Sequence, residues 1–199
     1  ASASMPRLHE AFRQQQMRQL PLVEEAMGRQ ALALLRQLDA ACQSADDLEA
    51  AAVDSFNQHP DAGIITSFPG IGALTGARVL AETGDDRSRF KDAKGLKAYA
   101  GSAPVTRASG KGRSVYCRHI KNNRLAAAGY AWAFSALTAS PGARQHYTRR
   151  RDAGDRHNAA LRNLYNRFLG CLHHCLATRQ HYNENTAFPN TKNKPAKAA

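Results

Sequence analysis

A mainly α-helical fold is predicted from three observations. Apolar residues between 5 and 44 recur at three- and four-residue steps: Val23, Met27, Ala31, Leu34/Leu35, Leu38 and Ala41/Cys42. Two later segments, 123–138 and 158–181, read as long apolar helices. No alternating, strand-like run carries Asp and Glu.

The elements follow in order. In the first segment Gln, Arg and Glu fill the faces the stripe leaves. Pro21 cannot donate inside a helix, so a break or restart is expected there. Ser44-Ala45-Asp46-Asp47 resembles a helix start leading into Leu48 to Phe56. The stripe covers about three heptads, so a coiled-coil arm and an ordinary helical hairpin both fit. His59-Pro60-Asp61-Ala62-Gly63 is a turn. A short apolar run, Ile64 to Ser67, leads through Phe68-Pro69-Gly70-Ile71-Gly72 into a helix from about Ala73 to Glu82, which Gly84 ends. A short helix is expected from Lys91 to Tyr99, then a loop or hairpin over 100–115. After the helix at Asn123–Thr138 comes a break at Ser140-Pro141-Gly142. A very basic stretch, Ala143–Arg151, precedes the last long helix. The expected domains are a helical arm at 1–58, a compact helical domain at 59–184 and a disordered basic tail at 185–199.

The 199 residues are enough to bury a core without staples. No stretch approaches the roughly 18 apolar residues of a membrane span. The opening Ala-Ser-Ala-Ser-Met-Pro-Arg turns polar, so no signal peptide is expected. Four cysteines do not make a disulfide framework, and a reducing, cytoplasmic location is expected. The formal net charge is +12. It is unevenly spread: residues 1–92 hold 9 Lys and Arg against 13 Asp and Glu, whereas 93–199 hold 19 against three. Such a half attracts a polyanion, and nucleic acid is the favoured partner over a membrane surface.

Two local patterns suggest chemistry. Ile65 to Ala77, with Gly70-Ile71-Gly72 at its centre, resembles a helix-hairpin-helix element. Two glycines permit a tight turn and close approach to a phosphate, and the next helix N-terminus offers free N–H groups. A plain tight turn between packed helices is the structural alternative. The second pattern is Tyr99-Ala100-Gly101-Ser102-Ala103-Pro104 followed by Thr106-Arg107-Ala108-Ser109-Gly110-Lys111-Gly112-Arg113. Arg107, Lys111 and Arg113 could clamp a phosphate, or simply solvate a basic hairpin. Walker spacing is missing. Cys171, His173, His174 and Cys175 lack the second ligand pair of a zinc site, so core cysteines are expected and no metal is assigned. Trp132, Phe134 and Leu137 are read as core, and Arg149-Arg150-Arg151 as a phosphate grip or a solvated helix end.

The order Pro69-Gly70-Ile71-Gly72, Ala77 to Asp85, Arg89-Phe90, Tyr99-x-Gly101-x-x-Pro104, Ser109-Gly110-Lys111 and Arg118 with Asn122, Asn123, Arg124 and Leu125 resembles the C-terminal transposase domain of the insertion-sequence 110 family. These are bridge-RNA-guided recombinases related to Piv-type invertases. The resemblance covers about 60–182. It implies DNA as substrate, a guide RNA, and a serine that attacks DNA. Ser109 matches that serine, and Ser102 is the alternative. The DNA-binding residues expected are Gly70, Gly72, Arg107, Lys111, Arg113, Arg118, Lys121 and Arg124. In the family an N-terminal DEDD domain binds Mg²⁺. Few carboxylates follow residue 92, so this chain is expected to be a fragment or relic without that domain, and to hold no cofactor itself. Homo-oligomerisation through the arm is expected. A non-catalytic DNA-binding module and a structural dimerisation protein are the rival readings.

Overall fold

The structure, a computed structural model, describes residues 5–14, 19–110 and 112–189. The chain divides into two compact units, Ala1–Leu48 and Glu49–Ala199, so the boundary falls ten residues before the expected one at 58. The first unit holds α1 (Met5–Arg13) and most of α2 (Pro21–Asn57). Pro21 opens α2, where its missing N–H costs nothing. The second start expected at Ser44 does not occur. α2 runs through it, and the Ser44 hydroxyl donates to the Ala40 carbonyl at 2.8 Å instead of capping. From Pro21 to Leu48 every residue but Glu24 is exposed.

The second unit is helical apart from one hairpin. Its order is α3 (Ala62–Thr66), α4 (Ala73–Thr83), a 3₁₀ turn at Arg87–Arg89, α5 (Ala93–Tyr99), β1 (Val105–Ser109), β2 (Gly112–Tyr116), α6 (Asn123–Ala139), α7 (Pro141–Asp152), α8 (His157–Thr178) and α9 (Glu184–Ala187). Side chains set these boundaries. Asp92 accepts from Gly95 N–H, Asn122 from Leu125 N–H and Ser140 from Ala143 N–H, each at 2.9 Å. Each cap is worth about 1 kcal/mol. Ser140 ends α6 and starts α7, with Pro141 at the first helical position. Gly84 closes α4 at φ +76°, a backbone that a Cβ would strain.

Helix α8 is the centre of the core, burying Leu161, Leu164, Phe168, Leu169 and Leu172 fully. The Trp132 ring of α6 stacks on Phe168 at 5.1 Å, and Phe68 meets its edge at 5.3 Å. Trp132 Nε1–H donates to the Pro69 carbonyl at 3.1 Å, which pins the turn before α4 to α6. Tyr165 of α8 lies over Gly129 of α6, where a Cβ would overlap the ring, and its hydroxyl donates to the Leu125 carbonyl at 3.1 Å. Phe134 departs from expectation: it is exposed and only its edge meets His157. The helix period carries it off the face that Trp132 buries. The expected tail also starts too early. Residues 184–187 form α9, Ala187 is buried and Phe188 packs on the core. Residues 190–199 lie outside the described part.

Asp61 is the buried charge of this unit. Its carboxylate pairs with Arg87 after α4 and with Arg179 at the end of α8. Arg179 takes a left-handed backbone, φ +56°, as it closes α8. One carboxylate thus ties three segments distant in sequence.

Candidate nucleic-acid interface

β1 and β2 pair antiparallel, with Val105 opposite Tyr116 and Ser109 opposite Gly112. A two-residue connection remains, Gly110 at φ +56° and Lys111, the latter outside the described residues. Two-residue hairpin loops favour left-handed backbone, which glycine adopts freely. Ser109 therefore ends a strand at the hairpin tip and is exposed. Strand alternation puts Arg107 on the same face as Ser109. The Arg107 guanidinium lies 5.7 Å from the Tyr116 ring centre. Arg113, described in its backbone alone, stands opposite Ala108.

Ser102 is placed differently. It is 3% exposed, and its hydroxyl sits 3.0 Å from Asn166 Oδ1 and 3.2 Å from the Lys97 carbonyl. Beside it a small cavity of about 140 Å³ is bordered by Lys121, Tyr130 and Arg162. Arg162 was not among the expected site residues: on a helix read as core, one arginine carries no signal of its own.

The hairpin stands on a polar clamp. Asn122 N–H donates to the Tyr99 carbonyl at 2.8 Å, closing the loop that begins and ends there. The Asn122 amide nitrogen donates at 2.6 Å both to Tyr99 Oη and to Glu82 Oε2. Arg89 donates at 3.0 Å to Tyr99 Oη and at 3.1 Å to the last carbonyls of α4. Its guanidinium lies 4.9 Å from the Tyr99 ring centre and 5.2 Å from that of Phe90. Lys121 lies along Gly101, where a Cβ would overlap its stem. Glu82, Arg89, Phe90, Tyr99, Gly101 and Asn122 are scattered over forty residues, yet they meet at this one clamp.

Basic residues continue below the hairpin. Lys121 and Arg124 are exposed; Arg124 reaches no closer than 3.9 Å to Glu82. Arg118 is partly buried, and its Nε–H lacks a partner among the described residues. A cleft of about 320 Å³ opens there between Arg107, Tyr116, Arg118 and Ile120. Tyr116 and Ile120 are 52% and 92% exposed, so flat and apolar surface alternates with cations.

The glycines at 70 and 72 do not share a role. Gly70, at φ +74°, packs on α6, where a Cβ would overlap the Ala136 backbone nitrogen. Its close approach here is to protein. Gly72 is exposed, caps α4 and has open space around its Cα. The remaining candidates make contacts within the chain. Among the described residues no three His, Cys, Asp or Glu side chains group as a metal site requires. Burial pushes the Cys171 and Cys175 thiols up, away from the thiolate. Arg150 pairs with Asp155 at 2.6 Å, Arg149 reaches His146 Nδ1 at 3.1 Å, and Arg151 donates to the Asp155 carbonyl at 3.1 Å. Among the described residues no helix is long and apolar enough to cross a membrane.

Known proteins place this arrangement. Residues 62–148, which run from α3 through the clamp and hairpin into α7, match the model of the transposase IS116/IS110/IS902 family. The chain is 62% identical over 187 residues to the mini-circle candidate transposase for IS117 of Streptomyces coelicolor, covering 94% of this chain and 45% of that protein. It is 38% identical over 127 residues to the uncharacterized 42 kDa protein of insertion element IS900 from Mycobacterium paratuberculosis, covering 63% and 32%. Against the uncharacterized 43.6 kDa protein of IS110 from Streptomyces coelicolor it is 36% identical over 128 residues, covering 63% and 31%. The chain spans less than half the length of each of these relatives. Over residues 62–148 the chain thus carries a transposase domain of the IS116/IS110/IS902 family.

Proposed function

We propose that this chain is the DNA-binding and strand-exchange part of an insertion-sequence transposase, with Ser109 as its nucleophile. The observation that carries this is the contrast between its two candidate serines. Ser109 is exposed at a hairpin tip on the face of Arg107, whereas Ser102 is buried and hydrogen-bonded. In the reaction the Ser109 hydroxyl oxygen bonds to a backbone phosphorus and the bond to one deoxyribose oxygen breaks. That oxygen leaves with a proton, and one DNA end stays esterified to the serine. Arg107, Lys111, Arg113 and Arg118 offset the charge that builds on the pentacovalent phosphorus. Lys121, Arg124 and the N–H groups of α4 behind Gly72 position the backbone. A serine needs a base or metal to activate it. No hydrogen bond ties Ser109 to a His or carboxylate among the described residues, and no step here is routed through a metal. Activation is assigned to the DEDD domain and Mg²⁺ that the family resemblance implies. The exposed stripe of Met27, Leu34 and Leu38 supports self-association through the arm, and the basic half supports guide RNA as a second polyanion.

The test is a covalent adduct. The chain alone is expected to bind duplex DNA with steep salt dependence and to form no adduct. Joined to a DEDD domain and guide RNA, it forms one that Ser109→Ala abolishes while binding persists. An adduct that survives Ser109→Ala but vanishes in Ser102→Ala overturns the assignment. The rival reading, a non-catalytic helix-hairpin-helix module, draws on the exposed α4 N-terminus at Gly72. It predicts DNA binding without an adduct under every condition.

A further inference from the structure

We propose that a second site, a cavity between α5, α7, α8 and the segment leading into α9, binds the phosphate of a nucleoside monophosphate unit. The cavity measures about 500 Å³ and shares no residue with the hairpin or the α4 N-terminus. Its size falls in the ~300–1,000 Å³ range of small-molecule sites and exceeds what a lone ion fills.

Several hydrogen-bond donors stand in a partly apolar lining. Lys97 and Arg167 bring two positive charges from α5 and α8, and no Asp or Glu lines the cavity. Lys97 Nζ lies against Gly170 of α8, 2.9 Å from where a Cβ would stand, and beside it burial raises the Cys171 thiol while the charges of Arg167 and Lys97 act against that rise. The Arg167 Nε–H is held by the Ala187 carbonyl, and its guanidinium stacks 5.1 Å from the Phe188 ring centre. The fork is thereby fixed, and its terminal N–H groups have no hydrogen-bond partner among the described residues. Lys97 Nζ has no ion pair among the described residues. The neighbouring carboxylate, Glu184, makes no ion pair with either cation among the described residues; it accepts from Ser140, Gly142 and Tyr182 at 2.6 to 2.9 Å.

The amides point the same way chemically. Asn163 Oδ1 is engaged by His146 Nε2 at 2.9 Å, and Asn166 Oδ1 by Ser102 at 3.0 Å. The acceptor of each amide is consumed and its N–H₂ remains. A dianionic phosphate with three acceptor oxygens matches one guanidinium, one ammonium and two amide donors. The phosphate assignment stands on the cavity alone. The nucleoside assignment rests on the DNA reading above, and either an unpaired nucleotide of a nucleic acid or a free nucleotide supplies the same chemistry.

Cys171 gives the site its own reporter. The full chain is alkylated at pH 8.5 with peptide-resolved detection, in the presence of dAMP, inorganic phosphate or a single-stranded oligodeoxynucleotide. Expected is at least threefold slower alkylation of Cys171 with dAMP, at a concentration at least fivefold below that needed with phosphate, and no change at the exposed Cys42 and Cys117. Lys97→Gln raises the required dAMP concentration about tenfold, and Lys97→Arg restores it. Protection by the oligonucleotide at lower concentration than dAMP identifies nucleic acid as the source; the reverse order identifies free nucleotide. Unprotected Cys171 with dAMP overturns the site, and equal protection by phosphate and dAMP overturns its nucleoside part. Should Lys97→Gln fail to fold, the wild-type comparison of dAMP with phosphate still decides. Protection by dAMP in a chain that binds no DNA overturns the DNA reading and leaves the cavity assignment standing.

Discussion

Every described side chain from Thr106 to Ser109 and from Ser114 to Cys117 is exposed, whereas Trp132 and Phe168 have no accessible surface. The hairpin holds its shape by one backbone ladder and the Tyr99–Asn122 clamp. The core holds by ring contacts among α6, α8 and the turn before α4. A two-stranded ribbon is marginal by itself, so the clamp must contribute what a third strand would. Stability and candidate chemistry thus rest on different residues. Substitutions can test them separately.

The largest effect is expected in the core. Trp132→Ala should cost about 3–5 kcal/mol in urea denaturation, since it removes a stacked ring and leaves a cavity. A loss below about 1 kcal/mol would show that the core is not centred there. Next comes Asp61→Asn, expected to cost about 2–4 kcal/mol, because two arginines lose their shared carboxylate. The cost stays under the full buried-pair value because both guanidinium groups are partly exposed. Arg87→Ala in the Asp61→Asn background should then cost little more, and full additivity would mean the network does not exist.

Tyr99→Phe should cost about 1–2 kcal/mol, through loss of the oxygen that accepts from Asn122 and Arg89. Amide exchange separates the two regions: protection across β1 and β2 should fall while α8 stays protected. Equal loss in both would merge the two regions into one cooperative unit.

A pH titration should report on the core alone. Burial, together with the charges of Arg149, Arg167 and Arg150, holds the His146 pKa below 6.5, against the pull of its Asn163 hydrogen bond. The unfolded chain therefore takes up this proton first. The contribution to stability is full above about pH 6.5 and shrinks as pH falls from there toward the folded value. Tm should drop between pH 7.5 and 5.5, and His146→Asn should flatten that slope. An unchanged slope would remove His146 as its source.

The smallest stability effects belong to the hairpin. Ser109→Ala and Arg107→Ala should stay within about 0.5 kcal/mol of the parent. Arg107→Ala should nonetheless lower the salt slope of DNA binding by about 1, which fluorescence anisotropy at several salt concentrations measures. A slope unchanged in Arg107→Ala would detach the hairpin from the phosphate backbone.

Much of the fold was legible in local chemistry. The stripes of α2, α6 and α8, the caps at Ser140 and Asn122, and the glycine after α4 are written in neighbouring residues. Ser44 was misread for an equally local reason: a hydroxyl that caps one helix can bond backward within another, and sequence does not choose between them. Phe134 is harder to place because it sits two residues from Trp132 on a largely apolar helix, where periodicity barely separates faces.

The candidate site was legible only as motifs in order. The charge asymmetry, the serine-glycine tip with its cations and the family resemblance all lie in the one-dimensional string, because composition and spacing carry them. What the tertiary structure decided is which of these residues meet. It put Ser109 in the open and Ser102 against Asn166. It turned Gly70 toward α6 and left Gly72 to solvent. It drew Glu82, Arg89, Tyr99 and Asn122 into one clamp, and Lys97 and Arg167 into one cavity. Those outcomes depend on contacts between residues tens of positions apart, and burial and hydrogen-bond partners exist only once the helices have packed.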